Sequence, residues 1–302
     1  MSLVKKKNED VVQSNHLIEA SYRLSLQEKR LVAWLLKLIK PQDQDFKRYT
    51  LKVSEFAEMM GLNVNAQYAE MRKITKSLLT KIIEITDPYT QKKTRFAWLC
   101  LDEWEEGTGI CSLEFYFELK PYFLELKSHF TQIPFSYFLD LKSFYSIRIF
   151  ELLIQYENIG KRTMEINDIK KWCGLKQEEY SLYSQLKRRV LDKAKSEING
   201  TTEYDVNYTE IKSSRKVIAV EWSIKKKKDA IDPLRLSAPL STLMERLTEY
   251  GFSKPLAARI VKNHEEAVIR NALETVDIQV SKGNAKNPKA MLQTALKEEW
   301  RP

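Results

Sequence analysis

The chain has 302 residues, of which 50 are Lys or Arg and 41 are Asp or Glu, giving a formal net charge of +9. An apolar content of 43% with 8 glycines and 9 prolines excludes a wholly disordered, collagen-like or low-complexity protein. The three cysteines, Cys100, Cys111 and Cys173, are widely spaced, which argues against a disulfide framework and against a Cys-x-x-Cys zinc or redox site.

The sequence contains neither a predicted membrane span nor a predicted secretory signal. Leu31–Ile39 is the longest apolar stretch, is interrupted by Lys37 and falls far short of the roughly 20 residues that a membrane span needs. The lysines near the N-terminus are not followed by an apolar segment or a small-residue cleavage site, as a secretory signal would be. We therefore expect a cytoplasmic protein without a membrane partner.

Two segments of the chain share one pattern. Leu51–Leu62 (LKVSEFAEMMGL) matches Met164–Leu175 (MEINDIKKWCGL) position by position and without a gap. Each predicts a short alternating strand, then an N-cap, an acidic residue and a helix that ends at a glycine. The predicted caps are Ser54 and Gly61 in the first copy and Asn167 and Gly174 in the second.

The similarity extends on both sides of these segments. Upstream, Lys29–Leu38 and Ser146–Tyr156 each predict an apolar helix with an arginine near its start. Downstream, long helices are predicted over Tyr68–Leu79 and Tyr180–Leu191, which align with each other from their first tyrosines. We infer that the chain contains two copies of one structural unit.

Two strand-like runs follow each long helix. They are Lys81–Thr86 and Arg95–Leu101 in the first copy, and Glu203–Thr209 and Val217–Ile224 in the second. Their polar connections, DPYTQKKT and EIKSSRK, are typical of hairpin turns. The resulting order of elements is that of a winged helix, in which the long helix can enter a DNA groove and the hairpin forms the wing.

The C-terminal part of the chain predicts only helices. They cover Leu240–Tyr250, Ser253–Val261, Glu265–Lys282 and Asn287–Trp300. The sequence therefore predicts an α+β protein with two tandem winged-helix domains related by an internal pseudo-repeat, plus a small all-α C-terminal domain. The predicted ranges are 1–135 for the first winged helix (DNA binding and dimerisation), 136–228 for the second (main source of sequence specificity), 229–236 for a linker and 237–302 for the helical domain, which we expect to bind replication proteins.

The positive charge lies in the two repeated units. Residues 229–302 contain 11 Lys or Arg and 10 Asp or Glu, so +8 of the net +9 falls in residues 1–228. Winged helices also serve as protein-docking modules. A basic surplus confined to the two copies favours double-stranded DNA as the partner.

The second long helix has the richer candidate DNA-contacting face. Its predicted buried stripe is Tyr183, Leu186, Val190 and Ala194. The opposite face carries Ser181, Ser184, Gln185, Arg188, Arg189 and Lys195, with Lys187 beside them. Gln can pair with adenine and Arg with guanine through two hydrogen bonds, whereas Ser and Lys can bind phosphates.

The first long helix and the two hairpin tips supply further cations. The corresponding face of the first helix carries Ala69, Arg72, Lys73, Lys76 and Thr80. The hairpin cations are Lys92, Lys93 and Arg95 in the first copy, and Lys212, Arg215 and Lys216 in the second. Our hypothesis is that the second unit provides base specificity and the first mainly phosphate contacts; the alternative is that these cations only solvate the surface.

The segments described above resemble the initiator proteins of iteron-containing bacterial plasmids over about residues 10 to 225. The most specific part of the resemblance is the motif N-x-L-x-x-A-x-x-x-L-x-x-x-E-x-R followed by two winged helices. Its residues here are Asn15, Leu17, Ala20, Leu24, Glu28 and Arg30.

The resemblance implies a function in the bacterial cytoplasm. Members of this family bind direct repeats at the plasmid origin as monomers, help to melt an adjacent A+T-rich region and recruit host replication proteins such as the initiator and the helicase. As dimers they bind an inverted operator and repress their own gene. The family assigns dimerisation to the N-terminal unit, which makes Leu24–Ile39 and Gly109–Phe117 candidates for the interface.

The helical tail is similar to the small C-terminal domain of some plasmid and phage initiators from Gram-positive bacteria. A looser likeness is to the helical domain of primosomal helicase-loading proteins, whose end carries an aromatic, an aliphatic and a Trp residue four positions apart. The corresponding residues here are Leu292, Leu296 and Trp300. They are candidates for docking a helicase or its loader, and the alternative is that they form the core stripe of the last helix.

Two other classes of protein stay open. A transcriptional repressor without initiator activity would use the same two winged helices. A rolling-circle nuclease would need a clustered histidine metal site, but His16, His129 and His264 are far apart and no G-x-x-x-x-G-K-[ST] phosphate loop occurs. The acidic DEWEE segment (Asp102 to Glu106) is interpreted as a solvated turn. We predict no catalytic residues, no metal and no cofactor.

Overall fold

The computed structural model of the chain describes residues 10–40, 43–60, 67–87, 90–124, 129–227, 238–285, 287–298 and 300. The predicted C-cap at Gly61 and the predicted linker 229–236 lie outside the described residues. Within these ranges two helix-and-sheet units are followed by a helical tail, and the predicted fold class is confirmed.

The N-terminal unit is closed by pairing its first strand with its last. Its elements are β1 (Asp10–Ser14), α1 (Asn15–Ile18), α2 (Leu26–Leu38), β2 (Tyr49–Lys52), α3 (Val53–Met60), α4 (Gln67–Leu78), β3 (Ile82–Thr86), β4 (Lys93–Ala97), β5 (Leu99–Glu105), β6 (Ile110–Phe115), a 3₁₀ turn (Phe117–Leu119), α5 (Lys120–Phe123) and β7 (Phe130–Pro134). β1 pairs antiparallel with β7. A capping box, in which the Ser25 hydroxyl and the Glu28 carboxylate each accept a backbone N–H, begins α2.

The second unit contains one long helix built from three segments. Its elements are α6 (Phe135–Asp140), α7 (Phe144–Ile154), β8 (Lys161–Glu165), α8 (Ile166–Trp172), α9 (Tyr183–Leu186), a π-helical turn (Lys187–Leu191), α10 (Asp192–Thr201), β9 (Tyr204–Ser213) and β10 (Lys216–Lys226). The long helix runs from Tyr183 to Thr201, not over the predicted Tyr180–Leu191. The φ of Tyr180 is +51° and Leu182 is extended, and a right-handed helix accommodates neither.

The two units share one sheet topology, and this corrects the predicted position of the first wing. The three-stranded sheets have the orders β2-β6-β5 and β8-β10-β9. By this order the wing of the first unit is the hairpin β5–β6, whereas β3 and β4 form a separate two-stranded sheet. The predicted strand Arg95–Leu101 is divided at Trp98 into the end of β4 and the start of β5, which belong to different sheets. The side chain of Trp98 is fully buried.

The predicted helix caps are only partly right. Ser54 and Asn167 lie inside α3 and α8, because each helix begins directly after the last residue of its strand. Gly174 is confirmed as a C-cap: its φ is +61° and the amide of Leu175 donates to the Lys170 carbonyl at 2.9 Å. A Cβ at Gly174 would lie 2.6 Å from the backbone of Tyr22, so this glycine also permits close approach of the two units.

One apolar core runs through both winged helices. Buried residues from Val11 to Ile224 form a single contact cluster that includes the fully buried Trp98 and Trp222. The boundary predicted at 135/136 falls where β7 passes into α6, and the core is continuous across it. The two units therefore share a core, and the predicted domain boundaries stay predictions.

The two segments that the resemblance implied for dimerisation are largely buried within the chain, but Phe117 is 61% exposed and Trp34 is half-buried, so the predicted interface stays a prediction. In α2, the side chains of Leu31, Val32 and Leu35 are fully buried. β6, which occupies most of the predicted Gly109–Phe117 strand, is the central strand of its sheet and is paired on both sides. A second copy therefore cannot add a strand next to β6 in this arrangement.

The tail forms a separate helical cluster. Its helices are α11 (Ala238–Glu249), α12 (Lys254–Asn263), α13 (Glu266–Ser281) and α14 (Pro288–Lys297). Leu292 and Leu296 are 0% and 4% exposed in its core, and Trp300 packs half-buried against it. This corrects the predicted docking role of Leu292 and Leu296: they are the core stripe of α14, and a partner cannot reach them.

Candidate nucleic-acid interface

The second recognition helix, residues 183–201, presents the predicted face to solvent. Of the predicted buried stripe, Leu186, Val190 and Ala194 are fully buried on one side, whereas Tyr183 is half-buried. Ser184, Gln185, Arg188 and Arg189 are exposed on the other, whereas Ser181 precedes the helix. Lys195 is half-buried and donates to the Asn207 side chain at 2.7 Å.

The two arginines of this face lie in the π-helical turn Lys187–Leu191. A π turn contains an extra residue, so it displaces the residues after it around the helix and is often found at functional sites. Val190 and Leu191 are both fully buried, which anchors the turn on the core while Arg188 and Arg189 stay exposed. The guanidinium of Arg189 lies 6.0 Å from the ring centre of Tyr180.

Lys187 has a partner within the chain. Its ammonium group lies 2.8 Å from the carboxylate of Glu210 on β9, which also accepts a hydrogen bond from the Tyr183 hydroxyl at 3.1 Å. The hydrogen bond to Glu210 raises the pKa of Lys187, and the same bond lowers the pKa of Glu210. The predicted DNA-contacting residue Lys187 is thus already paired with the second wing.

The second wing is long and basic at its tip. Strands of 10 and 11 residues are joined through Ser214, whose φ is +55°, and Arg215. Arg215 and Lys216 are exposed at the tip. Residues 204–226 contain five Lys or Arg and three Asp or Glu. The predicted wing cations therefore lie together beside the recognition helix.

The first recognition helix, α4, also presents its predicted face. Lys73 and Lys76 are exposed, and Met71, Ile74 and Leu78 are buried on the opposite side. The structure holds Arg72 differently from these lysines. Its guanidinium lies 2.9 Å from the Glu106 carboxylate and 4.6 Å from the ring centre of Trp104. Trp104 lies in β5, and Glu106 directly follows that strand.

The wing of the first unit has the opposite charge from that of the second. Residues 99–115, which form β5 and β6, contain five Asp or Glu and no Lys or Arg. The DEWEE segment was predicted to be a solvated turn, but Asp102 to Glu105 belong to strand β5, and half-buried Asp102 accepts from the Thr75 hydroxyl at 2.8 Å. Only Glu106 lies in the turn, where it is 85% exposed. Acidic side chains repel DNA phosphates, so this wing lacks the charge with which a basic wing contacts a DNA backbone.

The cations assigned to the first wing lie on the separate β3–β4 sheet. Lys92, Lys93 and Arg95 are all exposed there. Arg95 lies 2.8 Å and Lys93 3.8 Å from the carboxylate of Glu84 on the neighbouring strand. These three predicted residues therefore lie close together, but on the β3–β4 hairpin and not on the wing β5–β6.

A buried polar cluster, here called the polar junction, lies where the two units meet. It consists of Gln13, Tyr22, Lys29, Arg148 and Glu151, all at most 2% exposed. The Glu151 carboxylate accepts from Gln13 at 2.6 Å and forms ion pairs with Lys29 at 2.7 Å and Arg148 at 2.9 Å. Arg148 also donates to the carbonyls of Ile18, Ala20 and Trp172.

The charges of the polar junction depend on one another. Burial by itself would raise the pKa of Glu151, but Lys29 and Arg148 hold it below its ordinary value. Burial lowers the pKa of Lys29 to about 8 despite its bond to Glu151. The sequence contained one indication of this cluster, an Arg and a Glu three residues apart within an otherwise apolar helix, since such charges are buried only when paired.

Two family profiles together match almost all of the two winged-helix units. The profile described as Initiator Replication protein, WH1 matches residues 10–154, and that described as Initiator Rep protein, WH2 matches residues 165–224. The chain belongs to this initiator family. The membership inferred from the sequence resemblance is thus confirmed.

A curated relative and a solved structure agree with the family. A "Replication initiation protein" from Escherichia coli is 25% identical over 198 residues, which is 63% of this chain and 61% of that protein. The chain thus spans about three fifths of the relative's length. The structure described as "Crystal structure of Pi initiator protein in complex with iteron DNA" matches with a TM-score of 0.61 at 19% identity, covering 74% of this chain and all of that chain. At this identity the likeness concerns the fold, two tandem winged helices.

The initiator's N-terminal motif has a structural role. Arg30 donates to the carbonyls of Phe138, Leu139 and Leu141 at the end of α6, with the shortest distance at 2.6 Å. The Asn15 side chain accepts from the Thr131 hydroxyl at 2.7 Å. These two motif residues thus connect α1 and α2 by hydrogen bonds to β7 and α6, which are more than 100 positions away in sequence.

The tail of the initiator, which neither family profile covers, packs on the end of the second recognition helix. Asp140, 2% exposed, accepts from the Lys289 ammonium group at 2.6 Å and from the Ser253 amide at 3.2 Å. The Ser253 hydroxyl donates to the Thr201 carbonyl at 3.3 Å, and Arg259 donates to the Gly200 carbonyl. The bonds to Gly200 and Thr201 satisfy two backbone carbonyl groups that have no partner within the helix, because they lie in its last turn.

The described residues contain neither a membrane span nor a metal cluster. No helix among them combines the length and apolarity that a membrane crossing requires. That part of the chain also contains no group of three or more His, Cys, Asp or Glu side chains placed to hold a metal ion.

Proposed function

We propose that this initiator binds direct repeats in duplex DNA at a plasmid origin, promotes opening of the origin and recruits host replication proteins. The observation that carries the proposal is the exposed face of Ser184, Gln185, Arg188 and Arg189 beside a basic wing, within a family of initiators. The Pi initiator, a structural neighbour, was crystallised with iteron DNA according to its description.

The chemistry of this face suits the major groove. Arg188 and Arg189 can each donate two hydrogen bonds to guanine, and Gln185 can pair with adenine in the same way. The wing cations Arg215 and Lys216 supply charge for the phosphate backbone beside the groove. The protein would thus contact bases with its helix and phosphates with its hairpin, acting by binding rather than by catalysis.

Footprinting on the DNA that flanks the gene tests this proposal. An initiator protects a phased array of direct repeats, and an Arg188→Ala, Arg189→Ala double variant loses that protection while keeping its fold. Protection of only a single inverted repeat at a promoter would instead identify a transcriptional repressor and contradict initiator activity. Autorepression by a dimer predicts both footprints, with the inverted one appearing at higher protein concentration.

We further propose that the tail contacts host replication proteins in the bacterial cytoplasm. Its charge is nearly balanced, with 11 Lys or Arg and 10 Asp or Glu in residues 229–302, which suits a protein partner better than DNA. Truncation after Lys228 should abolish plasmid replication and leave repeat binding in place. Because Ser253 and Arg259 contact the end of α10, thermal unfolding of the truncated chain is measured as a control; loss of repeat binding by a folded truncated chain contradicts the proposal.

A further inference from the structure

Leu182 is an exposed apolar side chain at the start of the second recognition helix. The residue is 62% exposed, and it is not among the apolar residues that pack against the core. It occupies the N-cap position directly before Tyr183. Packing against the described residues therefore does not explain an apolar side chain here.

The local fold does not require leucine at this position either. N-cap positions favour Ser, Thr, Asp and Asn because their side chains accept a backbone N–H, and Leu182 makes no such bond. In the alignment from Tyr68 and Tyr180, Leu182 falls opposite Glu70, but Glu70 lies inside α4 whereas Leu182 precedes its helix, so the two positions are not structurally equivalent. The capping of the second helix gives no reason for a leucine at position 182.

The position of Leu182 is that of a base-contacting residue. In helix-turn-helix proteins the N-terminal residues of the recognition helix contact base edges in the major groove. Ser181, Ser184 and Gln185, the polar candidates for base contact, are exposed around Leu182. Only one natural base presents an apolar group in this groove, and that group is the C5-methyl of thymine.

We propose that Leu182 contacts a thymine C5-methyl group and determines specificity for that base in the bound repeat. The inference rests on the proposed function, because it requires the second recognition helix to lie in the major groove. It adds an apolar contact to the hydrogen-bonding residues inferred from the sequence.

Replacement of thymine by deoxyuridine removes only this methyl group and provides the test. The full chain is used to select its tightest duplex from a random-sequence library, and each thymine of that duplex is then replaced in turn. For the unmodified protein, substitution at one thymine should weaken binding about 4-fold, as expected for withdrawing one methyl group from apolar contact. Leu182→Ala should bind the two duplexes equally at that position, and Leu182→Met should restore part of the difference.

The matched control is Ile159→Ala. Ile159 is 65% exposed, much as Leu182 is, but it lies in the turn before β8. This variant should keep the full thymine preference. Unchanged thermal unfolding of Leu182→Ala confirms that the variant folds, as expected for a side chain outside the core.

The outcomes separate the inference from the proposed function. Repeat binding with no thymine sensitivity, or with a sensitivity that persists in Leu182→Ala, overturns the role of Leu182 and leaves the initiator function in place. A library that yields no preferred sequence contradicts sequence-specific binding itself, and the inference with it. Loss of binding to a partner protein rather than to DNA in Leu182→Ala would overturn the thymine contact and assign this side chain to protein docking.

Discussion

The two winged helices have the same strand order and opposite wings. Both present cations on the exposed side of their long helix, but the first wing carries five acidic residues and no basic ones, whereas the second carries five basic and three acidic residues. In the first unit Glu106 and Trp104 hold Arg72, whereas in the second Arg188 and Arg189 are exposed in a π turn. One fold has thus been duplicated with different electrostatics, which favours a division of labour on DNA.

The largest effect is expected where the two units are joined. Arg148→Ala leaves the Glu151 carboxylate and the Tyr22 hydroxyl buried without one of their partners, so it should lower the free energy of unfolding by about 3–5 kcal/mol. Denaturant unfolding measures this loss and shows whether the transition stays single. The matched control is Arg23→Ala, which breaks the exposed ion pair with Glu179 and should cost at most about 1 kcal/mol. Equal losses in both variants would contradict a special role for the polar junction.

The next effect compares arginines of the two recognition helices. Arg188→Ala should weaken binding to the selected repeat by about 1–3 kcal/mol and affect random DNA much less. Arg72→Ala should have a smaller effect on the repeat, because Glu106 and Trp104 already engage its guanidinium. Gel-shift titrations on repeat and random duplexes measure both. An equal loss on the two duplexes for Arg188→Ala would refute its role in specificity.

The wings should respond to charge removal in opposite directions. Replacing Glu103, Glu105 and Glu106 by Gln removes negative charge near α4 and should raise affinity for random DNA by roughly 2- to 5-fold. Replacing Arg215 and Lys216 by Gln should lower it and reduce the salt dependence of binding by up to about 2 in slope. Titrations at several salt concentrations give both quantities. Effects of the same sign in both wings would mean that the contrast between them is not functional.

The smallest effect is expected at the paired lysine. Lys187→Ala should change affinity less than Lys76→Ala, because Lys187 is already neutralised by Glu210 while Lys76 is exposed. Lys76→Ala should weaken all sequences about equally and lower the salt slope by about 1. Glu210→Gln frees Lys187 and should raise affinity for random DNA. A larger loss for Lys187→Ala would show that DNA displaces Glu210.

Several features followed from the sequence because they depend on local periodicity. The buried stripe of Leu186, Val190 and Ala194 recurs at helical spacing, so most of the exposed face opposite could be assigned from the sequence. The duplication of Leu51–Leu62 as Met164–Leu175 gave the order of elements and hence the fold class. The Gly174 cap was correct because its left-handed conformation is a property of a single residue.

Other features were decided only by the tertiary structure, because they depend on contacts between distant segments. The first wing was assigned to the wrong hairpin, since only strand pairing distinguishes β5–β6 from the inserted β3–β4 sheet. The partner of Arg72 lies 34 positions away and that of Lys187 lies 23 away, so no local pattern indicates which cations are free. The same helical spacing at Leu292 and Leu296 fits a core stripe and a docking surface equally, and packing of the tail decides for the core. Helical periodicity thus determined which side of each helix faces outward, whereas long-range packing and charge pairing decided what that side can bind.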